Sequence, residues 1–143
     1  MTLEELIKKI GEMAIQNSLV SWYGGGGSIY ELNNLTIKDY SLIYVSPTGT
    51  HTATNNYTQF NLTIFYMDRL IDDNSNDVQV FSTGVEVLKN IIRGLMSIDG
   101  VLGISDTYTI QNFTETEKMS DKCGGAYATL DIMVADNGVC YID

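Results

Sequence analysis

Residues 60–92 read FNLTIFYMDRLIDDNSNDVQVFSTGVEVLKNII, and this stretch decides the fold. In its first part, apolar side chains at Phe60, Leu62 and Ile64 alternate with polar ones, which is the two-residue period of a half-buried strand. The acidic run at residues 72–77 ends that pattern. Apolar residues then recur at helical spacing, so the stretch predicts a strand followed by a helix.

Two helices are expected, one at the start of the chain and one after the acidic run. Thr2 and Glu5 stand at capping-box spacing and predict a helix over about residues 3–17. Thr83 and Glu86 have the same spacing. They predict that the second helix spans about residues 84–97, which places residues 78–81 before it.

The remaining apolar runs predict a sheet. Strands are expected at about residues 19–23, 40–45, 57–69, 107–113, 126–134 and 139–142. Together with the helices they give the order αβ(β)ββαβββ. The prediction is therefore an α+β fold, a single domain over residues 1–143, whose mostly antiparallel sheet contains a long hairpin and is packed by both helices.

Residues 46–56 predict a protruding loop within that hairpin. A Pro-x-Gly turn signal is followed by a polar Thr- and Asn-rich tract, and loops of this length in a compact domain are usually functional or disordered. We therefore predict that this loop contacts other proteins. Its candidate residues are Pro47, Thr48, Gly49, Thr50, His51, Thr52, Asn55 and Asn56.

Four consecutive glycines predict a flexible contact segment. A phosphate-binding loop would need a following Lys and Ser or Thr at the entrance of a helix, and Ser28 and Ile29 do not supply that pattern. A hinge or mobile loop is the better interpretation. The residues are Gly24, Gly25, Gly26 and Gly27.

The charge balance limits the partners. Eighteen acidic residues against eight Lys and Arg give a net charge of −10, and tight binding to phosphates needs clustered cations. Sequence-specific nucleic-acid binding is not expected, although an acidic surface lets DNA pass without sticking. No apolar run is long enough to span a bilayer, and the start of the chain lacks the basic residues of a signal peptide. We expect a soluble protein made in a cytoplasm.

Catalytic and metal sites are not expected. His51, the only histidine, lies in the predicted loop, where nothing would orient it as a base. Asp72, Asn74 and Asn76 fit the first positions of a calcium-binding loop, but the sixth position lacks Gly and the twelfth lacks Glu. Cys123 and Cys140 are expected to be free thiols. We predict no cofactor.

One enzyme alternative stays open. Glu115, Glu117 and Asp121 would be the carboxylates of a hydrolase, but they fall in a polar connector beside Lys118 and Lys122. Catalytic carboxylates need a desolvated pocket that shifts their pKa values, and nothing in this segment predicts one. Solvated surface charges are the favoured interpretation.

Residues 60–95, together with the segment TYTIQNFTETEKMSDKCGGAYATLDIMV at residues 107–134, resemble small tail-completion and neck proteins of tailed phages that infect Bacteroides-type bacteria. In layout the chain is similar to the tail-terminator and head-tail connector group. The resemblance implies an N-terminal helix, an antiparallel sheet with a long hairpin, and a second helix against the sheet. The tetraglycine run has no place in that pattern.

The resemblance also implies a function. It predicts a non-enzymatic virion protein that forms a six- or twelve-fold homo-oligomeric ring between portal and tail, contacts neighbouring neck, portal or tail proteins, and lets DNA through non-specifically. Such a protein is made in the host cytoplasm and does not bind membranes. The alternative is a small accessory or adaptor protein acting in the infected cell.

Overall fold

A computed structural model describes residues 1–34, 39–71, 75–115 and 122–136. These residues form two α-helices and one six-stranded sheet, with short 3-10 helices at Ile29–Asn34 and Leu95–Ser97. The order confirms the predicted α+β class, with a helix, strands, a second helix and further strands. In chain order the elements are α1 (Leu3–Ala14), β1 (Trp22–Gly25), β2 (Leu42–Ala53), β3 (Tyr57–Arg69), α2 (Asp77–Gly94), β4 (Val101–Ile104), β5 (Ile110–Glu115) and β6 (Cys123–Ala135).

The sheet is built around the pairing of β3 with β6. The strand order is β1-β2-β3-β6-β4, and β5 also pairs with β6. β5 lies beside residues 123–128 of β6, whereas β4 lies beside residues 132–134 on the same edge. β1 runs parallel to β2, and the other pairs are antiparallel. Two short strands therefore share the far edge of the sheet, one at each end.

Both helices pack on one face of the sheet. Inward-facing side chains of β3 alternate as predicted, and each contributes to a single large core. Fully burying one such side chain stabilises the fold by about 1.5–3 kcal/mol. The buried residues of this core include Leu6, Ile10, Ala14, Ile43, Val45, Phe60, Leu62, Ile64, Tyr66, Val87, Leu88, Ile91, Ile92, Leu130, Ile132 and Val134.

The opposite face of the sheet is polar at one end and apolar at the other. Thr63 and Thr129 share a hydrogen bond of 2.8 Å between their hydroxyls. Asn61 donates to the Asp131 carboxylate at 2.8 Å, two residues further along the same two strands. Towards the other end, the first 3-10 helix covers a small second core that contains Leu32.

The second helix begins earlier than predicted, at Asp77. The capping box of Thr83 and Glu86 is wrong, because both residues lie inside the helix. Buried residues Val80 and Gly84 show why: the helical period of the apolar positions already starts in the first turn. The alternation of apolar and polar side chains in residues 78–81 is typical of a strand only when these residues are considered alone.

Several other helices and strands begin or end at residues that differ from the prediction. α1 ends at Ala14, before residue 17, and β4 was not predicted because its four residues begin immediately after a glycine turn. The capping box of Thr2 and Glu5 is confirmed. The strand predicted at 139–142 lies outside the described residues. In the described part of the chain, no helix has the length and apolar character needed to cross a membrane.

Candidate assembly interface

The predicted loop is mostly strand. Residues 47–53 form the outer half of β2, in which Pro47 and residues 51–53 pair with β3, and the turn comprises only residues 54–56. The loop prediction is wrong because the threonines here are β-branched and favour strands. A register shift between Pro47 and His51 accommodates the proline and Gly49, whose φ of 92° suits glycine.

Side-chain contacts hold this outer half of β2 in the sheet. The Thr48 hydroxyl donates to the side-chain oxygen of Asn61 at 2.6 Å. His51 accepts a hydrogen bond at Nδ1 from the backbone N–H of Asn61 at 3.3 Å, and its ring lies edge-on to Phe60 at 5.2 Å between centroids. The candidate contact residues from Pro47 to Thr52 therefore lie on a strand of the sheet, whereas Asn55 and Asn56 lie in the turn.

The outer edge of β2 is open. β1 covers only residues 42–45, and beyond Ser46 no described strand pairs with this edge. Residues 48–53 are all exposed. The backbone N–H of Thr54 donates to Tyr57 at 2.9 Å, so alternation along the strand turns the backbone groups of His51 and Ala53 outward. An edge of this kind is a ready template for another strand.

The tetraglycine segment packs against the same strand. Residues 24–25 belong to β1, so the prediction of a flexible connection is wrong for them. A Cβ atom at Gly25 would lie 2.6 Å from the carbonyl oxygen of Val45, so glycine permits this close approach. Gly26 donates to that carbonyl at 2.9 Å, and the carbonyl of Gly27 accepts from the Ser46 hydroxyl at 2.7 Å.

The two predicted contact segments meet in an apolar groove. Leu3, Glu4 and Ile7 of α1 form one wall of the groove, and Gly25, Gly26 and Pro47 form the other. Its volume is about 360 Å³. The groove lies where β1 stops and the open part of β2 starts, so it extends the open edge into a larger contact surface.

The β2–β3 hairpin carries no formal charge except at the end of β3, where Asp68 and Arg69 lie. Residues 40–67 contain no Asp, Glu, Lys or Arg, although such residues make up 18% of the chain and its net charge is −10. Edge strands of monomeric proteins commonly carry lysine or another charge that prevents pairing with a second chain. Pro47 interrupts this edge only at its inner end. We call the exposed outer strand, residues 48–53, together with the groove the β2 edge.

Outside the β2 edge, the described residues form a more polar cavity. A second cavity of about 410 Å³ is lined by hydroxyl groups and one carboxylate, Asp68, without a histidine, lysine or arginine. Burial raises the pKa of Tyr66, which lines it, so that this hydroxyl stays neutral near neutral pH. Glu115 accepts a hydrogen bond from the Tyr30 hydroxyl at 3.4 Å. Glu117 and Asp121 lie outside the described residues.

The metal and thiol predictions fall partly outside the described chain. Asp72 and Asn74 are not described, and the described ranges hold no group of three or more His, Cys, Asp or Glu that could bind a metal ion. Asn76 instead bonds the backbone around the turn. Cys123 is a free, buried thiol as predicted, and Cys140 is not described.

Comparison of the chain with models of known protein families finds no match, and no curated protein matches its sequence. The resemblance to phage neck proteins therefore stays a prediction. The case for a function rests on the β2 edge and on the charge distribution.

Proposed function

We propose that the protein is a non-enzymatic structural subunit whose copies assemble into a ring at the head-tail junction of a tailed-phage virion. The observation that carries this proposal is the outer strand of the β2 edge, residues 48–53, which is open, exposed and uncharged in a chain of net charge −10. In this role the ring joins the portal or connector to the tail and surrounds the passage of the DNA.

Electrostatics favours contact through the hairpin. Two copies that each carry −10 repel one another, and this repulsion is weakest where both approach through uncharged residues. A strand added to β2 satisfies the outward N–H and C=O groups of His51 and Ala53, and the apolar groove adds buried area beside them. A strand that pairs with residues 48–53 therefore meets no carboxylate of that segment.

The acidic surface also suits a DNA passage. Phosphates are repelled by carboxylates, so DNA moves through an acidic ring without being held. The sequence resemblance to neck and tail-completion proteins supports this location. Imaging of intact virions that carry labelled copies of the chain tests it, and a label found outside the junction would contradict it.

A charged residue placed on the β2 edge tests whether copies of the chain assemble through that edge. Ala53 is exposed at the end of β2, and Ala53→Lys adds a cation there without removing a core contact. We expect the unmodified chain to form one oligomer of defined size and Ala53→Lys to remain monomeric with an unchanged melting temperature, as measured by light scattering and circular dichroism. Asn90→Lys, on the exposed surface of α2, is the matched control and should assemble normally.

Two results would overturn the proposal. One is an unmodified chain that stays monomeric at its highest soluble concentration, which would favour the adaptor alternative. The other is a folded Ala53→Lys variant that assembles as well as Asn90→Lys does.

A further inference from the structure

The sheet has a second open edge, opposite to β2. β4 pairs with β6 on one side, and no described strand pairs with its other side. Its residues Val101–Ile104 carry no charge, and the Leu102 side chain is 53% exposed. An apolar side chain this exposed on an edge strand is unusual for a monomer, because it invites pairing.

The two open edges lie at the same position along the strand direction of the sheet. Strand pairing leads from His51 to Phe60, from Phe60 to Ile132 and from Ile132 to Ile104. A second row of partners crosses the sheet in parallel with the first: Ala53, Thr58, Val134 and Val101. The exposed end of β2 and the whole of β4 are therefore the two ends of one four-stranded layer.

The strand directions are also compatible. β2, β3, β6 and β4 alternate in direction, so β4 runs antiparallel to β2. A copy displaced sideways along the sheet therefore presents its β4 antiparallel to the β2 of the first copy. The backbone of Ser105 faces β6, because its N–H donates to Asp131 at 3.0 Å, so the backbone groups of Ile104 face outward.

We infer that copies of this chain join head to tail, with the β4 edge of one copy pairing with the outer half of β2 in the next. This inference rests on the proposed function and names the two surfaces that meet. Each contact uses the β2 edge of one copy and the β4 edge of another. The two joined copies still have one free β2 edge and one free β4 edge, which bind further copies until the ring closes. A contact between two β2 edges would instead stop at a two-fold dimer. Neither meeting strand segment carries an Asp, Glu, Lys or Arg.

Mixing two edge variants tests whether the β4 edge of one copy pairs with the β2 edge of another. Ala53→Lys blocks β2 and leaves β4 intact, whereas Leu102→Lys blocks β4 and leaves β2 intact. We expect each variant to be monomeric by itself and an equimolar mixture to form one-to-one dimers, so that the measured mass doubles and rises no further. Asn90→Lys should form the full oligomer, and melting curves establish that all three variants are folded.

Disulfide trapping gives a second measurement. A chain with both Ala53→Cys and Leu102→Cys should form a covalent ladder of several copies under oxidation, whereas each single variant should not. The unmodified chain, which has its own two cysteines, is the control.

The outcomes separate the two proposals. If the unmodified chain forms an oligomer that Leu102→Lys leaves intact, or if Ala53→Cys alone gives a covalent dimer, the head-to-tail inference is overturned and the structural role stands. A monomeric unmodified chain overturns both.

Discussion

Gly84 lies where α2 packs closely against the sheet. A Cβ atom at this position would lie 3.0 Å from both the Cβ of Ala126 and the Cδ1 of Tyr66. It would also lie 3.2 Å from the backbone nitrogen of Ala126, which cannot move independently of β6. A side chain at this position would therefore require its neighbours to shift by a few tenths of an ångström in a closely packed contact.

For this contact between α2 and the sheet, we predict that Gly84→Ala destabilises the fold. Alanine is the better helix former by about 1 kcal/mol, but overpacking a tight contact costs about 1–3 kcal/mol and should prevail. Gly94→Ala is the matched control, because its Cβ would meet only the flexible Met13 side chain, whose sulfur is 2.9 Å away. Urea denaturation measures both, and a Gly84→Ala chain as stable as Gly94→Ala would contradict the packing argument.

Among the elements, the connection from β3 to α2 depends on one side chain. Asn76 precedes the helix and makes no capping bond within it. Its Oδ1 atom accepts a hydrogen bond from the N–H of Ile71 at 2.8 Å, and its Nδ2 atom donates to the carbonyl of Arg69 at 3.0 Å. The amide therefore joins the start of the helix to the end of the strand.

We expect Asn76→Ala to lower the free energy of unfolding by about 1–3 kcal/mol, because two hydrogen bonds of about 0.5–1.5 kcal/mol each are lost. Asn76→Asp should lose less. Its carboxylate still accepts from Ile71 and lies favourably at a helix N-terminus, but it can no longer donate to Arg69. Denaturant titration of both variants checks the order, and a neutral effect of Asn76→Ala would refute this role.

For the whole molecule, the dominant feature is the contrast between an acidic chain and its uncharged sheet edges. The net charge of −10 opposes association, and salt weakens this repulsion by shortening the screening length from about 30 Å at 0.01 M to about 10 Å at 0.1 M. An interface made of backbone hydrogen bonds and apolar contacts is itself little affected by salt. Assembly should therefore strengthen as salt is added.

We predict that sedimentation velocity at fixed protein concentration shows a larger oligomer fraction at 0.1 M than at 0.01 M salt. A variant with Asp99→Asn and Asp106→Asn, which removes the exposed acidic residues flanking β4, should assemble at lower salt than the unmodified chain. Dissociation on adding salt would show instead that ion pairs hold the copies together.

Local pattern determined the fold class. The alternation from Phe60 onward, the apolar helical spacing around Val87 and the capping box of Thr2 and Glu5 each act over a few residues, so they can be read without knowing the fold. The lack of charge in residues 40–67 is equally visible in the chain.

Only the tertiary structure decided which of these residues form the candidate interface. Residues 47–53 became a strand because β3 pairs with Pro47 and with residues 51–53, and Gly25 became part of β1 because Val45 lies beside it. His51 and Ile104 lie at the same position along the strand direction because of strand pairings between residues far apart in the chain. Periodicity predicts which side chains are buried, but the register between strands, and with it the open edges, is set by long-range pairing.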